Sequence, residues 1–281
     1  YRKNYRMFND DIQGTGCVVL AGVLASMRRL KSKIFKQKIL FYGSGSAAIG
    51  IAEFLSKQMV EDGTNLSESN NRIFLFDSKG LVVSKRSDLN EEKKRYAKNL
   101  EFETNFHSVI KKIKPTIIIG ASGVKNAFNK DIIKEMYKIN DIPIIFALSN
   151  PTSNAECTAK DVMEYTKGKA MFGSGSPFLP IHNESNIFYT SQANNAYVFP
   201  GIGLGVLLSK VKIIDDSIFL KAAKTLSKMI SNEDLRKGQM YPSIKEIRNI
   251  SKKIASSIIL EIDKKYNLEK INDNIYNPIY R

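Results

Sequence analysis

Cysteine, histidine and acidic charge are all scarce in this chain. Cys17 and Cys157 are the only cysteines among 281 residues. Two cannot build a disulfide framework, and they fit a reducing compartment. His107 and His182 are the only histidines, which excludes a three-histidine metal site and leaves histidine-driven catalysis few candidates. Long apolar runs are missing as well. The uncharged stretch from Ile12 to Met27 has 16 residues, short of the roughly 18 or more that cross a bilayer. Arg2, Lys3 and Arg6 ahead of it imitate a secretory leader, but Asp10 and Asp11 intervene, and Arg28 and Arg29 close the run. Its small residues, Gly14, Gly16, Ala21, Gly22 and Ala25, suit a buried helix packed closely against others, so no membrane partner is expected. Acidic residues number 28 against 43 lysines and arginines, for a formal charge of +15. That surplus invites a nucleic-acid reading. No zinc-ligand spacing, clustered basic arm or basic–aromatic RNA motif accompanies it, so no nucleic-acid partner is expected either.

What is present reads as a globular α/β chain. A hydrophobic fraction of 43% with 25% charged residues excludes extensive disorder. From residue 38, short apolar runs alternate with helical patterns. Ile39 to Tyr42, Ile73 to Phe76, Thr116 to Ile119, Ile144 to Leu148 and Ala170 to Phe172 predict strands. Residues 47–55, 105–113, 130–139 and 159–166 predict helices. Continuous apolar strands separated by helices signal a parallel sheet covered on both faces. Past residue 196, Leu204 to Leu208, Ile218 to Ile230 and Ile244 to Ile262 keep helical spacing without strands, predicting a C-terminal helical cap. The expected organisation is an opening segment over 1–30, a main domain over 31–265 and a surface tail over 266–281.

The first strand runs into Gly43-x-Gly45-x-x-Ala48, and a helix follows. Gly43 permits a tight turn, Gly45 lets backbone approach a pyrophosphate, and Ala48 allows close packing of helix on strand. Ser46 and Ala47 open the helix whose N-terminus faces the anion. The second strand ends at Asp77, where such a fold places an acidic residue on the ribose. Asp77 lies 32 residues beyond Gly45, against the usual roughly 20, and a surface loop over 61–71 accounts for the excess. The second GSGS, residues 173–176, precedes Pro177 and no helix, so it reads as a loop at a strand end, as does Asn150.

At this point the chain resembles the malic enzymes, specifically their NAD(P)-binding domain. The segments that carry the likeness are FNDDIQGT at 8–15, FYGSGSAAIGIA at 41–52, FDSKGLVV at 76–83, KPTIIIGASG at 114–123 and PIIFALSNPTSNAECTA at 143–159. FGSGSPF at 172–178, ANNAYVFPGIGLGV at 193–206 and MYPSIKEIRNISKKIA at 240–255 complete them, in the family's order. The resemblance implies a doubly wound, Rossmann-type parallel sheet with flanking helices and a C-terminal helical cap. It implies oxidative decarboxylation of L-malate to pyruvate and CO2 with reduction of NADP+ or NAD+, dependent on Mg2+ or Mn2+.

By the same resemblance Asp11 is the metal ligand and Asp10 its neighbour in the catalytic network. Asn150 and Asn195 contact malate and the nicotinamide side, with Asn194 adjacent to the cofactor. Where the family usually reads GQGNN, this chain has Ser191-Gln192-Ala193-Asn194-Asn195, which alters the loop's glycine positions. Ser78, Lys79 and Lys93 near the adenosine ribose favour the 2′-phosphate of NADP, while the carboxylate of Asp77 opposes it. The family's Glu-Asp metal pair and its catalytic tyrosine, lysine and arginine have no match in this chain. The expectation is therefore the cofactor-binding portion of a longer enzyme, retaining nucleotide binding alone and inactive by itself. A homo-oligomer, tetramer or dimer, is expected, and the cytoplasm is favoured over an organelle. The rival readings are another nicotinamide dehydrogenase domain of the same fold and a non-catalytic nucleic-acid-binding module.

Overall fold

The computed structural model describes Arg2, residues 4–183 and residues 186–266. A π-helical turn, Asp10–Gly14, leads into α1 (Thr15–Leu30). The chain continues with β1 (Ile39–Tyr42), α2 (Ser46–Glu61), α3 (Leu66–Asn71), β2 (Ile73–Asp77), β3 (Gly80–Leu81), α4 (Glu91–Lys94) and α5 (Phe106–Ile113). Next come β4 (Ile117–Gly120), α6 (Lys130–Ile139), β5 (Ile144–Ala147), α7 (Ala159–Tyr165) and β6 (Met171–Ser174). A small hairpin, β7 (Ile181–Asn183) with β8 (Asn186–Phe188), precedes β9 (Ser191–Gln192). The helices α8 (Phe199–Ser209), α9 (Asp216–Met229), α10 (Asn232–Arg236) and α11 (Ile247–Tyr266) end the described chain. The expected tail beyond Tyr266 lies outside the described residues.

Seven strands form one sheet in the order β3-β2-β1-β4-β5-β6-β9. All neighbours are parallel except β2 with β3. Successive side chains of a strand face opposite sides, so each strand feeds two cores. Ile73, Ile39, Ile117, Ile144 and Met171 stand in one cross-strand row and pack with Phe41, Leu75, Ile119 and Phe146 against α1, α2, α8, α9 and α11. Leu40, Phe74, Phe76, Ile118, Ile145 and Phe172 face the other way, onto α5, α6 and α7. This two-sided burial is why the strands read as unbroken apolar runs. The parallel sheet, its flanking helices and the helical cap all agree with the sequence pattern.

Four consecutive helices start at asparagine caps. Asn65, Asn90, Asn105 and Asn129 cap α3, α4, α5 and α6, each accepting from a backbone amide of the first turn. Thr158 and Asp161 form a capping box on α7. The stretch expected as a loop over 61–71 instead holds the end of α2 and all of α3. Its asparagines read as loop formers, yet Asn65 starts a helix.

The opening helix α1 is buried on nearly every side, as its small residues require. A β-carbon added at Gly16 would lie 2.4 Å from the Phe54 ring, and one at Gly22 would lie 2.4 Å from the Tyr241 hydroxyl. That hydroxyl donates to the Val18 carbonyl at 2.9 Å, tying the segment between α10 and α11 to α1. Among the described residues no helix is long and apolar enough to cross a membrane. Overpacking at such a contact costs about 1–3 kcal/mol. Gly16→Val is therefore expected to lower unfolding free energy by about that amount in urea titration, and an unchanged midpoint would refute the close α1–α2 contact.

Candidate functional site

The sheet order places a topological switch at β1, where the chain leaves toward β2 on one side and returns toward β4 on the other. Loops after these strands diverge, opening a crevice beyond their C-terminal ends. Gly43 forms its floor. Its φ of +115° lies where side chains are strained, and an added β-carbon would sit 2.4 Å from the Ala121 carbonyl oxygen. The Gly43 amide donates to Phe76 and the Ala121 amide to Tyr42, so three strand ends are laced together. At Gly45 the same construction meets nothing within 4 Å, leaving open space against the start of α2. Gly45 and Ser46 are exposed there, Ala47 is half-buried and Ala48 is buried beneath. No side chain caps this helix, so its first amides present a positive end to the crevice.

At the end of β2 the structure gathers five charged side chains. Asp77 receives Arg86 through Nη1 to Oδ1 at 2.9 Å and Nη2 to Oδ2 at 3.0 Å. Lys93 Nζ reaches Asp77 Oδ2 at 3.0 Å. Arg86 also holds Asp88, which pairs with Lys79 at 2.8 Å. Side chains of Asp77 and Arg86 are each only 9% exposed, so this is a desolvated, bidentate pair. Burial pushes the Asp77 carboxyl up, but hydrogen bonds from Arg86, Lys93 and the Lys79 amide outweigh it and hold the group below its ordinary range. Three cations against two carboxylates leave the cluster net positive. Ser78 sits beside it in the turn between β2 and β3. Sequence reasoning named Asp77, Lys79 and Lys93 but missed Arg86 and Asp88. Their position, nine and eleven residues after Asp77 in a loop, carries no fixed spacing rule.

A third group lies where the π-turn meets the loop after β9. Asn195 Nδ2 lies 3.0 Å from the Asp10 carbonyl, 3.1 Å from Asp10 Oδ2 and 3.2 Å from Thr15 Oγ1. Asp10 Oδ1 is buried without a hydrogen-bond partner among the described residues. A β-carbon at Gly14 would fall 2.0 Å from it, so the glycine gives that carboxylate its place. Asp11 is exposed, its amide bonded to Asn9 Oδ1 at 2.9 Å. Asn194 caps the short turn that presents Asn195.

Asn150, after β5, is exposed and accepts from Ser176 Oγ at 2.7 Å, joining the loops after β5 and β6. Thus Asp10 with Asn195, the glycine turn with Ala121, and Asp77 with both lysines form three clusters, and Asn150 a fourth point. No hydrogen bond joins these clusters directly among the described residues.

An orphaned, acceptor-only oxygen at Asp10 and a second carboxylate at Asp11 fit the hard oxygen donors that Mg2+ or Mn2+ takes. The fit is partial. Among the described residues no group of three or more histidine, cysteine or acidic side chains converges as a metal site, so these two aspartates would make only part of a shell.

An open parallel sheet with an uncapped helix end at its switch point, over a glycine turn, defines a dinucleotide-binding α/β domain. The family described as malic enzyme, NAD binding domain, matches residues 12–262. The NADP-dependent malic enzyme of Rattus norvegicus is 44% identical over 265 residues, covering 94% of this chain and 46% of the relative. The mitochondrial NAD-dependent malic enzyme of Ascaris suum is 44% identical over 255 residues, 91% of this chain and 40% of its own. This chain belongs to the malic enzyme family, and it spans about half the length of the curated relatives it matches. Among solved structures, the Entamoeba histolytica malic enzyme superposes with a TM-score of 0.74 at 22% identity, covering 96% of this chain and 51% of that one. The malic enzyme of Pyrococcus horikoshii gives 0.70 at 21% identity, with 96% and 58% covered. At such identities these two speak for the fold alone.

The Asp77–Arg86 pair makes an acid-sensitive edge. The folded carboxyl is more acidic than the unfolded one. Its contribution is therefore full at neutral pH, starts to fall as pH drops through about 4 and is gone below the folded value. Asp77→Asn is expected to cost about 1.5–3 kcal/mol at pH 7, the scale of hydrogen bonds to a charged group, since Arg86 keeps Asp88, with the gap to the unaltered chain narrower at pH 2. Urea titrations at both pH values check this, and a gap independent of pH would exclude the ion pair.

Proposed function

We propose that this chain is the nucleotide-binding part of an enzyme that oxidises and decarboxylates L-malate, giving pyruvate, CO2 and NADPH from NADP+. The observation that carries the proposal is the uncapped start of α2 over the Gly43 turn, at the switch point of a chain of this family. Pyrophosphate belongs against the first amides of α2 at Gly45, Ser46 and Ala47, with Ala48 keeping the helix close to the sheet. Asp77 anchors the β2 edge through Arg86. Its negative charge is thereby matched, so Lys79, Lys93 and the Ser78 hydroxyl would favour a 2′-phosphate.

Asp11, beside Asp10, is the oxygen donor this chain offers a divalent cation. With Mg2+ or Mn2+ held there, the site would gain the Lewis-acid charge that oxidation and decarboxylation of a hydroxy acid use. The remaining donors would come from outside the described residues. Asn195 is held by Asp10 and Thr15, so its amide is oriented before substrate arrives. Asn150 is similarly fixed through Ser176. Neutral amides can bind a carboxylate by donation without adding charge that opposes hydride transfer to the nicotinamide. The reaction balances as malate plus NADP+ giving pyruvate, CO2 and NADPH, with the hydride leaving C2 and the C3–C4 bond breaking.

A second reading, NAD in place of NADP, is favoured by one observation: a carboxylate, Asp77, ends β2. Fluorescence titration of the chain with NADPH and NADH separates the two. NADPH is expected to bind at least tenfold more tightly. Lys79→Ala and Lys93→Ala should each weaken it about tenfold, the size of one charge-assisted hydrogen bond, while NADH affinity stays within about twofold. Tighter binding of NADH would select the second reading, and binding of neither at millimolar concentration would overturn both.

A further inference from the structure

Glu156 lies in the segment between β5 and α7 and is fully buried, at 0% exposure. Among the described residues none of the ion pairs includes it. Its carboxylate is instead surrounded by hydroxyl and amide donors from two loops. Oε1 accepts from the Ser122 amide at 3.1 Å, the Ser122 hydroxyl at 3.4 Å and the Ser149 hydroxyl at 2.5 Å. Oε2 accepts from the Ser149 amide at 3.3 Å. The Ser149 hydroxyl oxygen in turn accepts from the Gly123 amide at 2.8 Å. Backbone bonds from Phe128 to the Glu156 carbonyl and from Asn126 to the Ala155 carbonyl pin the segment itself. Room for the side chain comes from Gly120, the last residue of β4, where a β-carbon would lie 2.5 Å from Glu156 Cγ.

A buried carboxylate without a cation is expensive, and it is tolerated only when several donors satisfy it. The donors here are not scattered through the core. They are the residues that follow β4 and β5, where an open α/β sheet presents its ligand. One residue before Ser122, the Ala121 carbonyl closes on Gly43; one residue after Ser149 stands Asn150. We propose that Glu156 is a positioning residue. Its carboxylate ties the loops after β4 and β5 together, so that the crevice wall beside the glycine turn is set before the nucleotide binds. The proposal rests on the nucleotide reading above and adds to it the residue that shapes the wall. Glu156 acts through Ser122 and Ser149 rather than by touching the ligand. An amide in its place would turn an N–H toward one of the four donors, so glutamine cannot reproduce the arrangement.

The test joins residue-resolved amide hydrogen exchange to NADPH titration, on the unaltered chain and on Glu156→Gln, Ser149→Ala and Ser149→Thr. Glu156→Gln should speed exchange at the amides of Ser122 and Ser149 at least tenfold. Amides inside β4 and β5, such as Ile118 and Ile145, should keep their rates, which a general loss of stability would not allow. NADPH affinity should fall about tenfold with Glu156→Gln and about fivefold with Ser149→Ala, and Ser149→Thr, which keeps the hydroxyl, should restore it. Unchanged exchange at Ser122 and Ser149 would overturn the proposal, as would faster exchange with NADPH affinity held within twofold. Should Glu156→Gln not fold, the Ser149 pair decides, and equal affinity of Ser149→Ala and Ser149→Thr would count against it. Failure of the unaltered chain to bind NADPH or NADH would remove the nucleotide reading, and with it the role in binding. The exchange pattern would then judge the tie between the loops separately.

Discussion

The pairing of β1 with β2 on one side and β4 on the other is the constraint from which the rest of the molecule follows. It forces the loops at their C-terminal ends apart, and it makes room for a ligand without a separate cavity-forming device. It also forces the turn after β1 against the turn after β4, which only a glycine with positive φ survives. The same pairing fixes which side chains reach which core, because each strand alternates between a layer with α1, α2 and the C-terminal helices and a layer with α5, α6 and α7. The π-turn carrying Asp10 rides on α2, the helix whose start faces the crevice, so the candidate catalytic segment and the candidate nucleotide segment are held by one element.

Much of this was legible in the residues alone. Five apolar runs with helical spacing between them announced the parallel sheet, since burial on both faces leaves no polar alternation to misread. The strand–glycine–helix order announced the switch point. Small residues in α1 announced a crowded helix. Most of what escaped is polar pairing between loops. Arg86 reaches Asp77 across a turn of no standard length, and Glu156 bonds to serines 34 and 7 positions away. Nothing local distinguishes either from an ordinary surface residue. Helix α3 escaped for the opposite reason. Its residues favour loops, and only the Asn65 cap with packing on α2 makes them a helix.

The surplus positive charge also reads differently once its partners are seen. Lys79, Lys93 and Arg86 are bound to carboxylates, and Arg28 is spent on the Ser227 and Ile230 carbonyls at the end of α9. Part of the positive charge thus secures joints between elements and is no sign of a polyanionic partner. At the β2 edge the pairing leaves one cation in excess, a modest local field suited to a small phosphorylated ligand.

The asparagine caps carry a consequence for how the molecule meets changing conditions. An amide side chain has no proton to gain in acid, so α3, α4, α5 and α6 begin at points that pH cannot erase. The β2 edge, by contrast, is held by a carboxylate that can be protonated. These four helix starts and the crevice edge therefore belong to two different regimes of sensitivity. Only in strong acid, below the ordinary carboxylate range, does the β2 edge lose its anchor, while the starts of α3 to α6 keep their caps, so the loosening begins beside the crevice.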